Sequence, residues 1–290
     1  GFAHSWLGQR VEAEVCLRRG LRAAMSAGDA AITGRIHRAL ATECVYSGKP
    51  LQEAITHARQ AASLLDRDAN QFWLAQALFT LSYCCYFAGA FDDALDAADK
   101  LETVAQAAGS ARARVNAAML QGLVLAMRGE DQRAIESCER ALGASPDRFE
   151  TAFILACLGR ACAEAGMLER ARAVLHEAVD VADQVRSVQF RAWFRTMLGE
   201  ALLLNGDTAL AKAVIETALR MSTEARFGLG IALSRQVAGM IALREGDRMQ
   251  ATRELADAAR VFAEIGARFD LARSRMEQRL IGRVLHEGML

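Results

Sequence analysis

A glycine recurs along the chain at Gly8, Gly48, Gly89, Gly129, Gly166, Gly206, Gly246 and Gly288, with successive gaps of 40, 41, 40, 37, 40, 40 and 42 residues. Spacing that regular marks an array of copied units, each unable to bury its apolar face alone and therefore stacked on its neighbours. The residues around each glycine say what the unit is. Five places after it stands an alanine in most copies (Ala13, Ala94, Ala134, Ala171, Ala211 and Ala251, with Ala54 one place later). Nine places after it come Leu17, Ala98, Cys138, Leu175, Ile215 and Leu255, and twelve after it Leu101, Ala141, Ala178, Ala218 and Ala258. Offsets of five, nine and twelve share one face of a helix. Eight places before the glycine lie Leu40, Leu81, Leu158, Leu198 and Leu280, and seven before it Gly122, Gly159, Gly199 and Gly239, which belong to a preceding helix. The unit predicted is a helix, a short turn such as Glu245-Gly246-Asp247, and a second helix antiparallel to the first.

Composition matters here chiefly for what it excludes. Only two prolines, Pro50 and Pro146, interrupt 290 residues dominated by helix formers. Lys+Arg and Asp+Glu are equal at 35 each, so the basic excess that draws a chain to nucleic acid or anionic lipid is missing. Charges break the apolar segments before any reaches the roughly 18 to 20 residues of a membrane span, and no signal peptide opens the chain. Cys16, Cys44, Cys84, Cys85, Cys138, Cys157 and Cys162 lie mostly in apolar helical stretches rather than at the spacing of a disulfide framework. A cytoplasmic location fits that usage best.

The order Leu158-Gly159, Cys162, Gly166, Leu168, Ala171, Leu175, Ala178 resembles the tetratricopeptide repeat consensus of leucine-glycine, a large residue, glycine, an aromatic, alanine, a large residue and alanine. Several consensus aromatics are replaced by Cys, Leu or Ala, and only Pro146 takes the usual trailing proline place. The resemblance covers essentially the whole chain. It implies an all-α fold, a right-handed superhelical solenoid of antiparallel helix hairpins. The long period, against about 34 residues in the ordinary repeat, and the ending Phe262-Ala263-Glu264-Ile265-Gly266-Ala267-Arg268-Phe269-Asp270-Leu271-Ala272-Arg273 resemble a subgroup. Its arrays form the C-terminal part of bacterial multidomain signalling ATPases, nucleotide-cyclase-like proteins and large LuxR-type regulators.

The expected organisation is a single repeat domain over 1–290: a truncated first hairpin (1–33), six full hairpins (34–265) and a C-terminal capping helix (266–290). Gly1 falls where a first-helix glycine belongs and is not a methionine, so the chain reads as a fragment of a longer polypeptide, with a leftover tag residue as the alternative.

No catalytic, cofactor or metal site is expected. The lone Gly48-Lys49 precedes Pro50 and is no phosphate-binding loop. His4, His37, His57, His176 and His286 are scattered, and His176-Glu177 lacks a second histidine four residues on. The cysteines behave as small hydrophobes unless a neighbouring base activates them. Seven near-equivalent hairpins offer no clustered titratable set for an enzyme.

What remains is binding. In a stack of this kind the first helix of each pair lines the inner side, as the family resemblance implies. Its non-core positions are Gln76, Phe79, Tyr83, Tyr86 and Phe87, then Asn116, Met119, Leu123 and Met127, then Phe153 and Arg160, then Trp193. Two readings of the apolar stretch from Phe79 to Met127 stay open. It is either a trough for an amphipathic helix or extended peptide, or ordinary packing between repeats. Arg35, Arg38 and Arg160 are candidates to grip acidic groups. The expected partner is a protein or peptide, including another domain of the same polypeptide, with no nucleic acid and no membrane; a small effector in an internal pocket is the alternative.

Overall fold

The structure, a computed structural model, describes residues 10–67, 70–144, 147–185 and 187–287. Gly1, Gly8, Pro146 and Gly288 of the repeat reading lie outside the described residues, as does the side chain of Leu280. The described chain is all helix and turn, and it divides into two compact units, Gly1–Pro146 and Asp147–Leu290, each taken by itself below. Unit 1 holds α1 (Arg10–Ser26), α2 (Ala30–Ser47), α3 (Leu51–Arg67), α4 (Gln71–Ala88), α5 (Phe91–Ala107), α6 (Ala111–Met127) and α7 (Asp131–Gly143). Unit 2 holds α8 (Arg148–Glu164), α9 (Leu168–Asp183), α10 (Val188–Leu204), α11 (Thr208–Glu224), α12 (Gly228–Glu245), α13 (Arg248–Ile265) and α14 (Arg268–Glu287).

Local chemistry sets the ends of these helices. Asp29, Asn70, Ser110, Asp147 and Asp247 each accept a hydrogen bond from a backbone N–H of the first turn that they cap. The repeat glycines close the turn after each first helix in the left-handed region, Gly48 at φ 70° and Gly246 at φ 83° among them. There the next N–H reaches back to close the helix, as Asp247 N–H does on the Ala242 carbonyl.

Each first helix packs on the second helix of its own hairpin through a hole and a knob. The hole is the glycine seven places before the turn, and the knob is the large residue nine places after it. A Cβ on Gly239 would stand 2.6 Å from Leu255 Cγ, and one on Gly199 would stand 2.5 Å from Ile215 Cδ1. Gly159 meets Leu175, and Gly122 meets Cys138, just as closely. In the hairpin ending at Ala107 the hole is filled by Ser82, and the knob has shrunk to Ala98. Ser82 Oγ then donates 2.8 Å to the Ala94 carbonyl, which keeps a buried hydroxyl satisfied. In the hairpin of α2 and α3 the positions are Ala41 and His57, and His57 Nδ1 lies 2.8 Å from His37 Nδ1. Burial pushes the His37 imidazole down to about 4, so at neutral pH one ring donates and the other accepts.

Within each unit the first helices also touch one another, α2 to α4 to α6 and α8 to α10 to α12, whereas the second helices pack chiefly on first helices. First helices are therefore surrounded. The sequence of α4 carries no charged residue and that of α6 only Arg112 and Arg114, whereas α5 and α9 keep a charged outer face. Exposed ion pairs such as Arg59–Asp93 (2.8 Å) and Lys212–Glu245 (2.8 Å) join successive hairpins, where solvent screening leaves them little weight in stability.

The hole is a specific demand, so Gly239→Ala should destabilise unit 2 by about 1–3 kcal/mol, more than the ~1 kcal/mol that alanine gains over glycine in a helix. Leu255→Ala should cost about 2–5 kcal/mol. The double variant, which copies the Ser82/Ala98 solution, should cost clearly less than the sum in urea unfolding; strict additivity would disprove the pairing.

Candidate protein-binding face

The inner surface of unit 1 is built by α2, α4 and α6, and the structure divides the expected trough residues into two groups. Tyr83, Phe87, Met119 and Leu123 are 5%, 3%, 1% and 0% exposed. Gln76, Phe79, Tyr86, Asn116 and Met127 are half-buried. The buried rings pack on their own neighbours: Tyr83 meets Phe87 edge-on at 4.7 Å, and Phe79 stacks on Tyr83 at 6.3 Å. Tyr83 and Tyr46 share a side-chain hydrogen bond, and burial pushes the Tyr83 phenol well above its usual range. For those four residues the packing reading holds, and the open apolar trough is corrected to a closed interior. The reason is the contact between first helices, which brings α4 and α6 close enough to cover side chains that a lone helix would expose.

In unit 2 Phe153 and Trp193 are buried as well, at 1% and 4%, in an aromatic cluster with Phe149, Phe190 and Phe194 whose ring centroids lie 5.1–6.4 Å apart. Behind them runs a polar seam. Thr196 Oγ1 and Ser234 Oγ are 3.0 Å apart, and Gln236 donates to Ser274 Oγ at 2.8 Å and to the Asp270 carbonyl at 3.1 Å. Arg160, half-buried on α8, sits at the edge of a cavity of about 250 Å³ lined also by Glu164, Met197, Glu200, Phe269 and Arg273. Arg160 bonds Glu200 at 2.8 Å and Glu164 at 2.6 Å, and Arg273 bonds the other oxygen of Glu200. Burial works against the Glu200 charge, but Arg160 and Arg273 outweigh it and hold its carboxyl at about 2. Asp270 has no such surplus: burial raises it to about 6 despite Arg273 and Arg160.

The register explains which of these residues were readable. Arg160 and Glu200 both stand six places before their turn glycines, the position of Tyr83 and Leu123 in unit 1. Arg273 stands fifteen places before Gly288, outside the positions that the register singles out. Arg35 and Arg38 occupy the places of Gln76 and Phe79 one repeat earlier, with Trp73 against both. Trp73 stands sixteen places before Gly89, outside the positions that the register singles out.

Elsewhere the titratable groups offer little chemistry. Burial pushes the Cys44 and Cys85 thiols up to about 12, so they pack as small apolar groups. Among the described residues no three His, Cys, Asp or Glu side chains are grouped to hold a metal, and no helix is long and apolar enough to cross a membrane.

No protein-family model and no curated protein matches the chain. Solved structures do. A Rap protein complexed with competence and sporulation factor aligns at 14% identity and a TM-score of 0.64, over 89% of this chain and 76% of that one. The Rap conjugation gene regulator of plasmid pLS20, bound to a Phr peptide, aligns at 14% identity and 0.64, over 87% and 74%. A tetratricopeptide repeat protein from Parabacteroides merdae aligns at 16% identity and 0.57, over 97% and 95%. At such identities the likeness is one of fold, and the fold is the all-α, tetratricopeptide-type hairpin array.

The opposite shifts of Glu200 and Asp270 give a signed prediction. Glu200, held low, contributes stability above its unfolded value of 4.5 that is lost as pH falls towards about 2. Asp270, raised from 3.8 to about 6, withdraws stability as pH rises through that interval. Asp270→Asn should therefore raise the melting temperature by roughly 2–6 °C at about pH 7.5 and by much less at about pH 4. Glu200→Gln should lower it at neutral pH, because Arg273 then loses its carboxylate and faces the Arg160 charge across a neutral amide.

Proposed function

We propose that this chain is a non-catalytic protein-interaction scaffold, which binds a polypeptide along the first-helix face of its hairpins. The observation that carries the reading is the pattern of accessibility on that face. In unit 1 buried aromatics make a rigid floor, and above it a row of side chains stays within reach: Arg35 and Arg38, then Gln76 and Phe79, then Asn116; unit 2, taken by itself, offers Arg160 and its cavity. Amides, guanidinium groups and aromatic edges at repeat spacing suit a peptide backbone and its side chains. Of two Rap proteins similar in fold, one has been solved with competence and sporulation factor and the other with a Phr peptide, which supports the same use here.

The finer reading is a sensor or docking module of a bacterial signalling or transcription-regulating protein, cytoplasmic, whose partner is a separate polypeptide or another domain of its own. The array as one repeat domain of six full hairpins, with a partial hairpin before and a capping helix after, belongs to that reading. A small effector inside the apolar stretch is less well supported. The larger cavity of unit 1, about 580 Å³, lies between α3 and α5 over Leu74, Leu78 and Leu81, and none of Phe79, Tyr83, Tyr86 or Phe87 lines it.

Photocrosslinking residues placed at Gln76 or Asn116, with exposed Glu136 on α7 as the control, test the face directly. Covalent adducts with a discrete polypeptide from the first two positions and none from Glu136 are expected. Adducts confined to Glu136 would transfer the binding surface to the second helices.

A further inference from the structure

Several half-buried arginines among the described residues are matched to a carboxylate, and one neighbouring pair is not. Arg10 bonds Glu43, Arg195 bonds Asp183, and Arg160 and Arg273 share Glu200. Arg35 and Arg38, one turn apart on α2, make no ion pair and donate no side-chain hydrogen bond among the described residues, and the Nε of each is sealed from solvent without an acceptor. What holds them is Trp73 of α4: the Arg35 guanidinium lies 4.2 Å from a Trp73 ring centroid and that of Arg38 5.6 Å. Burial lowers the Arg38 guanidinium, and the Arg35 charge beside it lowers it further.

A cation–π contact orients a guanidinium but does not neutralise it. Two like charges, partly desolvated and side by side, are costly unless an anion completes them. The planar fork of arginine fits the two oxygens of a carboxylate. The neighbouring ionisable groups do not supply one. His37 faces His57 on α3, and Glu43 is taken by Arg10. Ile32, one turn before Arg35, and Phe72, beside Trp73, are both exposed.

We infer that Arg35 and Arg38, stacked on Trp73, form an oxyanion site that receives an acidic side chain of a polypeptide partner, with apolar residues of that partner against Ile32 and Phe72. The inference rests on the protein-binding reading and adds the chemistry of one subsite. The pair stands in register with Gln76 and Asn116, so a segment lying along the first-helix face reaches it without leaving the row.

The test uses the whole chain and three fluorescein-labelled decapeptides, alternating Glu with Leu, Gln with Leu, and phosphoserine with Leu. The Glu peptide should bind, the Gln peptide at least about tenfold more weakly, and the Arg35→Gln/Arg38→Gln variant should lose a similar factor for the Glu peptide alone. Arg38→Gln by itself should melt no lower than the unaltered protein, since it removes a partly desolvated charge that no carboxylate matches, whereas a purely structural arginine would lower the melting temperature. Equal binding of the Glu and Gln peptides, or full binding by the double variant, overturns the site. So does binding of neither peptide. Preference for the phosphoserine peptide with no binding of the Glu peptide overturns the carboxylate assignment. If these fail while crosslinks from Gln76 and Asn116 persist, the subsite falls and the scaffold reading stands.

Discussion

The approach of one helix to another at a missing side chain is the constraint on which the rest of this structure depends. Where Gly159, Gly199 or Gly239 lies under Leu175, Ile215 or Leu255, a bare backbone admits a branched side chain to a depth no other residue would allow. That depth sets how tightly each hairpin closes. Tight closure places the first helices against one another, and their mutual contact buries the aromatic floor of the inner face. The accessible row above the floor follows from the same geometry, because positions turned away from both neighbouring first helices keep solvent contact.

Much of this could be read from the chain before its coordinates. The glycine period and the alternation of small and large residues specify the hairpin and its register, since both reflect contacts inside a copied unit. What periodicity does not carry is the distance to the next unit. Tyr83, Phe87, Met119 and Leu123 read as non-core positions in the register, yet whether such positions are open depends on how near α2, α4 and α6 come. Helices without a charged face, as α4 is, were the available sign that no side of them meets water. Arg273, fifteen places before Gly288, stands outside the positions that the register picks out. Trp73 likewise stands outside the positions that the register picks out, so its role with Arg35 and Arg38 emerges only from the stacking distances.

The two units share a scaffold but differ in what they seat on it. On α4 and α6 of unit 1 the position six before the turn is Tyr83 and Leu123, both closed into the interior. On α8 and α10 of unit 2 it is Arg160 and Glu200, tied to Arg273 beside a cavity. Apolar packing makes one floor rigid, and a compensated charge network holds the other. Networks of that kind fix geometry more than they add stability, because desolvation offsets much of the attraction. In unit 1 the uncompensated charge lies instead at Arg35 and Arg38, on the accessible row rather than beneath it.

The holes at Gly122, Gly159, Gly199 and Gly239 and their knobs lie on the two helices of one hairpin, and the Ser82/Ala98 exchange adjusts both within that same hairpin. Each hairpin thus carries its own matched lock and key. Duplication or loss of a single hairpin during the history of the gene would leave every such match intact, and what would need refitting is the packing between neighbours, such as the rings that α8 and α10 share. An array wired in this way can change its length one cassette at a time, each lock and key carried along whole.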